Sequence, residues 1–141
     1  MRRVLASGGR VGVGTWRPDA ELTVISELRN LAERHTGPVN DRRHGFGEAG
    51  PVEELLEAAG FVDIESTTVS RPVRFDDGMA FARFNAMALV GMIPGVKELS
   101  DENRERLIAS IVDDSTDLVK SYTDSAGFCF EMSSNITTAH G

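Results

Sequence analysis

The run Arg10-Val11-Gly12-Val13-Gly14-Thr15-Trp16, entered through Gly8-Gly9, constrains the fold more than any other stretch of this chain. Valines alternate with glycines and the run ends on a β-branched and an aromatic residue, a period-two pattern that predicts a strand with one bare face. Upstream, Val4 and Leu5 beside Arg2 and Arg3 read as the last turn of a helix, stopped at Ser7 or Gly8 where a helix C-terminus takes positive φ. A chain that opens on a helix's last turn is expected to be the second part of a larger arrangement.

The glycine spacing invites a dinucleotide-binding reading, but a phosphate fingerprint needs its glycines after a strand, opening a helix whose N-terminus holds the pyrophosphate. Here they precede and interrupt the strand, Arg17-Pro18 follows, and no acidic residue ends a second strand about 20 residues on. A cofactor loop is therefore excluded at this position.

The 141 residues predict one domain spanning 1–141, with ordinary globular composition of 40% hydrophobic and 26% charged residues. A net charge of -7 argues against a nucleic-acid or anionic-membrane surface, which needs clustered Lys and Arg. The single cysteine, Cys129, excludes an intrachain disulfide and a multi-cysteine zinc site, and a reducing cytoplasm is the expected compartment. No apolar run approaches a membrane span or the core of a signal peptide.

Further elements follow from punctuation. Asp19 after Pro18 is expected to cap a helix carrying Leu22, Ile25, Leu28, Leu31 and Ala32 inward as far as Gly37-Pro38, and residues 39–50 read as a flexible loop, so that 17–50 forms a helix-and-loop insertion. Pro51 and Gly60 frame a short helix over Val52 to Ala59 by the proline-in, glycine-out rule. Residues 61–75 are β-like with a change of phase, which predicts a bulge or break near Ser66 to Thr68, and Pro72 marks an edge.

Asp76 is expected to cap a helix whose stripe is Phe81, Phe84, Met87, Ala88 and Gly91. Ser100 caps a longer helix reaching Tyr122, so that 76–122 forms a helical cover. Phe128 to Asn135 is a final strand, with Phe128, Phe130, Met132 and Ser134 alternating against Cys129, Glu131 and Ser133. Three strands with four to five helices make an α/β protein with a thin sheet.

The order of pieces resembles the C-terminal half of class I S-adenosylmethionine-dependent methyltransferases, and most closely the small-molecule type related to ubiquinone and menaquinone C-methyltransferases. Leu5-Ala6-Ser7-Gly8-Gly9-Arg10 stands for that family's Leu-Lys-Pro-Gly-Gly-Arg-like turn into its fifth strand, with Ala6-Ser7 departing from Lys-Pro. Leu55-Leu56-Glu57-Ala58-Ala59-Gly60-Phe61 stands for the "Leu-Leu-Glu-x-Ala-Gly-Phe" helix into the sixth. The resemblance implies a partial Rossmann-like sheet in the order 5-7-6, here Val11 to Trp16, Phe128 to Asn135, then Val62 to Phe75, with the last strand antiparallel. It also implies that the family's glycine-rich turn, ribose-binding acid and adenine-side residues precede Met1. No cofactor-binding residue carries over, and the chain is expected to bind no cofactor alone although S-adenosylmethionine serves the whole family.

The strand at Val11 to Trp16 would then lack its fourth-strand neighbour, and an apolar glycine-containing edge is a liability that proteins pair or cover. A homodimer or strand-swapped dimer across that edge, or docking with a separate N-terminal half, is expected.

Candidate site residues lie where strands end and loops turn. Trp16 ends a strand, where α/β proteins place ligands, and the resemblance puts it toward the methyl acceptor; a Trp plugging the end of the core is the competing reading. Arg42, Arg43 and His44 could grip a carboxylate or phosphate, or be solvated loop charge. Phe84 and Met87, among Met79, Phe81, Met92 and Ile93, could cover a small hydrophobic ligand or simply pack. Arg74, Asp76 and Asp77 could close a polar pocket. His35 and His140 lack metal-ligand spacing and are read as surface residues; no metal site and no catalytic residue is assigned. Cys129 lacks an electropositive setting, and Ser133-Ser134-Asn135 makes no nucleophile elbow. Two functions remain open, the acceptor-side half of a methyltransferase or a non-enzymatic ligand-binding or self-associating module derived from that fold.

Overall fold

The computed structural model describes residues 5, 6, 8–40 and 45–141. In chain order it contains β1 (Arg10–Trp16), a 3₁₀ turn (Asp19–Glu21), α1 (Thr23–Thr36), α2 (Gly50–Ala58), β2 (Val62–Phe75), α3 (Gly78–Val90), a second 3₁₀ turn (Val96–Glu98), α4 (Asp101–Asp114), α5 (Thr116–Ser121), β3 (Thr123–Asp124) and β4 (Gly127–His140). It is a mixed α/β fold. The strands adjoin in the order β1-β4-β2, with the short β3 pairing β4, so the sheet has four strands where the sequence predicts three. β1 runs antiparallel to β4, from Arg10 opposite His140 to Trp16 opposite Ser134.

Three side-chain pairs give the register of the other seam. Ser66 meets Thr137 at 2.7 Å, Thr68 donates to Asn135 at 2.8 Å, and Ser70 meets Ser133 at 2.7 Å. Partner numbers fall as β2 numbers rise, so β2 is antiparallel to β4 and therefore parallel to β1. These pairs lie where a break was expected near Ser66 to Thr68; β2 is instead continuous over 14 residues, and Asp63 takes the positive φ, at 49°. The cross-strand hydroxyl pairs hold the register that apolar alternation leaves undecided.

The chain divides into two compact units, Met1–Leu22 with Arg43–Arg71 and Met132–Gly141, and Thr23–Arg42 with Pro72–Glu131. In the first, Val52 and Leu56 of α2 are buried with Phe61 and Ala139, and Leu5, Val11, Val13 and Ile64 pack against them. Pro51 stands in the first turn of α2 and Gly60 takes φ 78° just beyond it, as the sequence reading requires.

In the second unit Ala32, Val39, Ala86, Leu89, Val90, Ile108 and Ile111 form one buried cluster. Each buried Leu or Ile contributes roughly 1.5–3 kcal/mol. Phe75, Phe81, Phe128 and Phe130 form a second cluster, with ring centroids 4.5 to 6.1 Å apart. Gly78 abuts it: a Cβ there would lie 2.6 Å from Val119 Cγ1 and 2.8 Å from Phe128 Cβ.

Several expectations are corrected. Asp19 opens a 3₁₀ turn and the helix itself begins at Thr23. Asp77, not Asp76, caps α3 by accepting from the Ala80 N–H, whereas Ser100 caps α4 as expected. The inward face of α3 is Ala82, Asn85, Ala86, Leu89 and Val90, while Phe84, Met87 and Gly91 face outward. Small residues lie inward because they let the helices approach closely. The long helix reaching Tyr122 divides at Ser115, whose buried hydroxyl donates back to the Ile111 carbonyl at 2.7 Å. β4 continues five residues past Asn135, so His140 lies in the sheet opposite Arg10, half-buried. Phe128 and Phe130 are buried as expected, but further along the buried positions are Asn135, Thr137 and Ala139 rather than Met132 and Ser134. No helix among the described residues is long and apolar enough to cross a membrane.

Candidate functional site

The carboxyl end of β1 opens onto two recesses that share Thr15 and Phe46. One, of about 240 Å³, is lined by Val13, Thr15, Phe46, Val52, Leu55, Leu56, Ala59 and Phe61. The other, of about 390 Å³, is lined by Gly14, Thr15, Trp16, Phe46, Ser134 and Ile136. Alternation along β1 accounts for both: Val13 points to the α2 side, and Gly14 and Trp16 to the opposite face. The absent side chain of Gly14 leaves space, since a Cβ there would meet only Ile136 Cδ1, at 3.7 Å. Trp16 is 47% exposed and Phe46 50%, a large apolar exposure for adjacent residues.

A polar hub fixes the mouth of these recesses. Asn135, 1% exposed, accepts from Thr68 Oγ1 at 2.8 Å and from Arg17 Nη1 at 3.4 Å, and donates to the Gly47 carbonyl at 2.8 Å. Both halves of its amide are thereby satisfied, the condition on which a buried amide is tolerated. Gly47 is needed there because a Cβ would lie 2.6 Å from Pro18 N. The hub thus clamps the turn that presents Phe46.

Arg17 forks onto Glu21 through Nε at 2.8 Å and through Nη2, and reaches Glu48 at 3.5 Å. The hydrogen bond from Arg17 holds the Glu21 carboxyl below the usual range, and Glu21 in turn raises the guanidinium.

Of the expected site residues, Trp16 lines the wider recess. Phe84 and Met87 stand on the outward face of α3 in the other unit, 71% and 48% exposed, and line neither recess. Arg42, Arg43 and His44 lie outside the described residues. Of the residues considered for a polar pocket, Arg74 forks onto Asp124 at 2.7 and 3.2 Å, and Asp77 caps α3. His35 bonds Asp114 at 2.8 Å beside a mixed-charge groove lined by Glu27, Arg34, Asp114 and Asp117. Among the described residues no group of three or more His, Cys, Asp or Glu is placed to hold a metal ion.

Phe46, Gly47, Thr68 and Asn135 escape a sequence reading because their partners are distant in the chain; Asn135 and Gly47 are 88 residues apart. The one available signal is an asparagine inside a β-rich run, a residue depleted in strands.

Among the described residues, neither recess is lined by a carboxylate, imidazole, thiol or amine. The arrangement can bind an apolar or aromatic group, and the hydroxyls of Thr15 and Ser134 can orient it.

No family model matches the chain, and no curated protein matches it. Among solved structures it is similar to a "putative methyltransferase" from Bacillus halodurans, with a TM-score of 0.40 and 13% identity over 97% of this chain and 57% of that one. The chain thus spans little more than half the length of that structure.

Proposed function

We propose that this chain is the acceptor-side part of an S-adenosylmethionine-dependent methyltransferase-like protein, of the small-molecule type, binding the methyl acceptor at the carboxyl end of β1. The observation that carries the reading is the sheet: β4 lies antiparallel between β1 and β2, the order 5-7-6 that the resemblance implies, with α2 leading into β2. The recess supports it. Methyl transfer to a reactive acceptor asks for proximity, in-line geometry and exclusion of water around the sulfonium, and the apolar wall formed by the described residues suits those demands. Trp16 and Phe46 are the acceptor-binding residues of this reading. On this reading the cofactor is held by a separate cofactor-binding half of the fold.

Isothermal titration with S-adenosylmethionine tests the division of labour. The expected result is no saturable heat from this chain; saturable binding would overturn the acceptor-side reading. The apolar lining among the described residues also suits the second reading, a ligand-binding module derived from the same fold. A chain that takes up a neutral aromatic compound but forms no methylated product when mixed with a cofactor-binding half of the fold would decide for that module.

A further inference from the structure

The outer edge of β1 has a symmetry in its sequence. Within the antiparallel seam, Arg17 N–H donates to the Ser133 carbonyl at 3.0 Å and Gly141 N–H to the Gly9 carbonyl at 2.9 Å, in the same register that pairs Arg10 with His140. Hydrogen-bonded pairs alternate along such a seam, so odd-numbered residues of β1 face β4 with their backbone groups. The N–H and C=O of Arg10, Gly12, Gly14 and Trp16 therefore point outward. No described residue pairs with them.

We propose that this edge pairs antiparallel with the same edge of a second copy of this chain, about a two-fold axis through Val13, extending the sheet. In that register Arg10 lies opposite Trp16 of the second copy, Val11 opposite Thr15, Gly12 opposite Gly14, and Val13 opposite itself. The outward backbone groups are those of Arg10, Gly12, Gly14 and Trp16, which fall opposite one another, so every hydrogen-bonding position of β1 is matched. Val13 then occupies the close, non-hydrogen-bonded pair at the axis, where apolar side chains gain most.

Side-chain chemistry favours this occupant over an arbitrary strand. The face carrying Arg10, Gly12, Gly14 and Trp16 is the exposed one. The pairing sets a guanidinium against an indole twice, a cation–π contact at each end of the interface. Between them the two glycines leave the axis uncrowded; a Cβ at Gly12 would meet nothing within 4 Å. The contact is isologous and closes at two copies, which suits an edge with a single unpaired side. Arg10 of the second copy would lie along the rim of the recess that Trp16 lines. At the other margin of the sheet, β2 carries the edge-blunting Pro72 and four charged residues, Asp63, Glu65, Arg71 and Arg74, where β1 has a single charge, Arg10, at its start. The pairing rests on the geometry of β1 alone; a cofactor-binding half that docked as a neighbouring strand would take the same edge, so the dimer is the state of this chain without such a half.

Sedimentation of the whole chain over a concentration series tests it. The expected result is a reversible monomer–dimer equilibrium. Gly12→Lys/Gly14→Lys sets like charges directly across the axis and should weaken the dimer by tenfold or more, while Gly12→Lys/Gly14→Glu sets opposite charges there and should restore it. A Cβ at Gly12 meets nothing within 4 Å and one at Gly14 only Ile136 Cδ1 at 3.7 Å, and circular dichroism melting establishes that each variant folds. A wild-type chain that stays monomeric at the highest concentration, or a Lys/Lys variant as dimeric as the Lys/Glu one, would overturn the proposal.

Discussion

The two units are stabilised by different means. The Thr23–Arg42 and Pro72–Glu131 unit fills its interior: four phenylalanines touch ring to ring, and α1, α3 and α4 share one apolar cluster. The unit containing β1 has a smaller core, leaves Trp16, Phe46, Leu55 and Ile136 exposed, and secures its loop with the Asn135 hub. Packing density serves stability, while exposed apolar surface beside a rigid polar clamp serves binding. The second unit also exposes Phe84 and Met87, but only the first sets its exposed apolar residues around recesses beside such a clamp, and the proposed function uses that surface.

The largest effect expected from breaking that contrast is in the aromatic cluster. Phe128→Ala removes a fully buried ring that touches Phe81 and Phe130, and should cost about 3–5 kcal/mol of unfolding free energy in urea denaturation. A loss no larger than that of a surface substitution would mean the rings are not load-sharing. Next in size is Asn135→Leu, which leaves the Thr68 hydroxyl and the Gly47 carbonyl without their partner and should cost about 1–3 kcal/mol. It should also weaken ligand uptake at the Phe46 recess, an effect that Phe128→Ala does not share in the fraction still folded.

Asn85 sharpens the comparison in the opposite direction. It is 6% exposed on the inward face of α3, and its Oδ1 has no hydrogen-bond partner among the described residues. Asn85→Leu should stabilise the chain by about 1 kcal/mol, read as a higher denaturation midpoint, because it removes an unsatisfied buried polar atom. An unchanged or lower midpoint would show that the amide is satisfied in solution.

The smallest effect is acid dependence. Arg17 depresses the Glu21 carboxyl in one unit and Arg74 depresses Asp124 in the other. Each contribution is present above the unfolded carboxylate value, about pH 4, and fades as pH falls through the lower folded value. Glu21→Gln should lower stability slightly at neutral pH and flatten the acid limb, so that the difference from the parent chain closes as pH falls below about 4; a steeper limb would contradict the sign.

Legibility from sequence follows the range of the interactions. α2 was readable because Pro51 and Gly60 frame it within ten residues, and β1 because valine and glycine alternate. α3 was read on the wrong face: Phe84 and Met87 are the apolar residues by type, yet Ala82, Ala86 and Leu89 are those that fit against neighbouring helices. Trp16 could be singled out because strand ends are local. Phe46 could not, because its position depends on Asn135 reaching Gly47 across most of the chain.

The most direct test of a binding site at the carboxyl end of β1 uses Trp16, the single tryptophan, as its own reporter. The chain is titrated with 2-naphthol, a neutral aromatic compound, and separately with S-adenosylmethionine, while the one indole N–H resonance is followed by NMR. The account predicts that the indole signal shifts saturably with the naphthol, that Phe46→Ala reduces the affinity severalfold, and that S-adenosylmethionine leaves the signal in place. An indole signal indifferent to the naphthol, or one that moves saturably with S-adenosylmethionine alone, would contradict it.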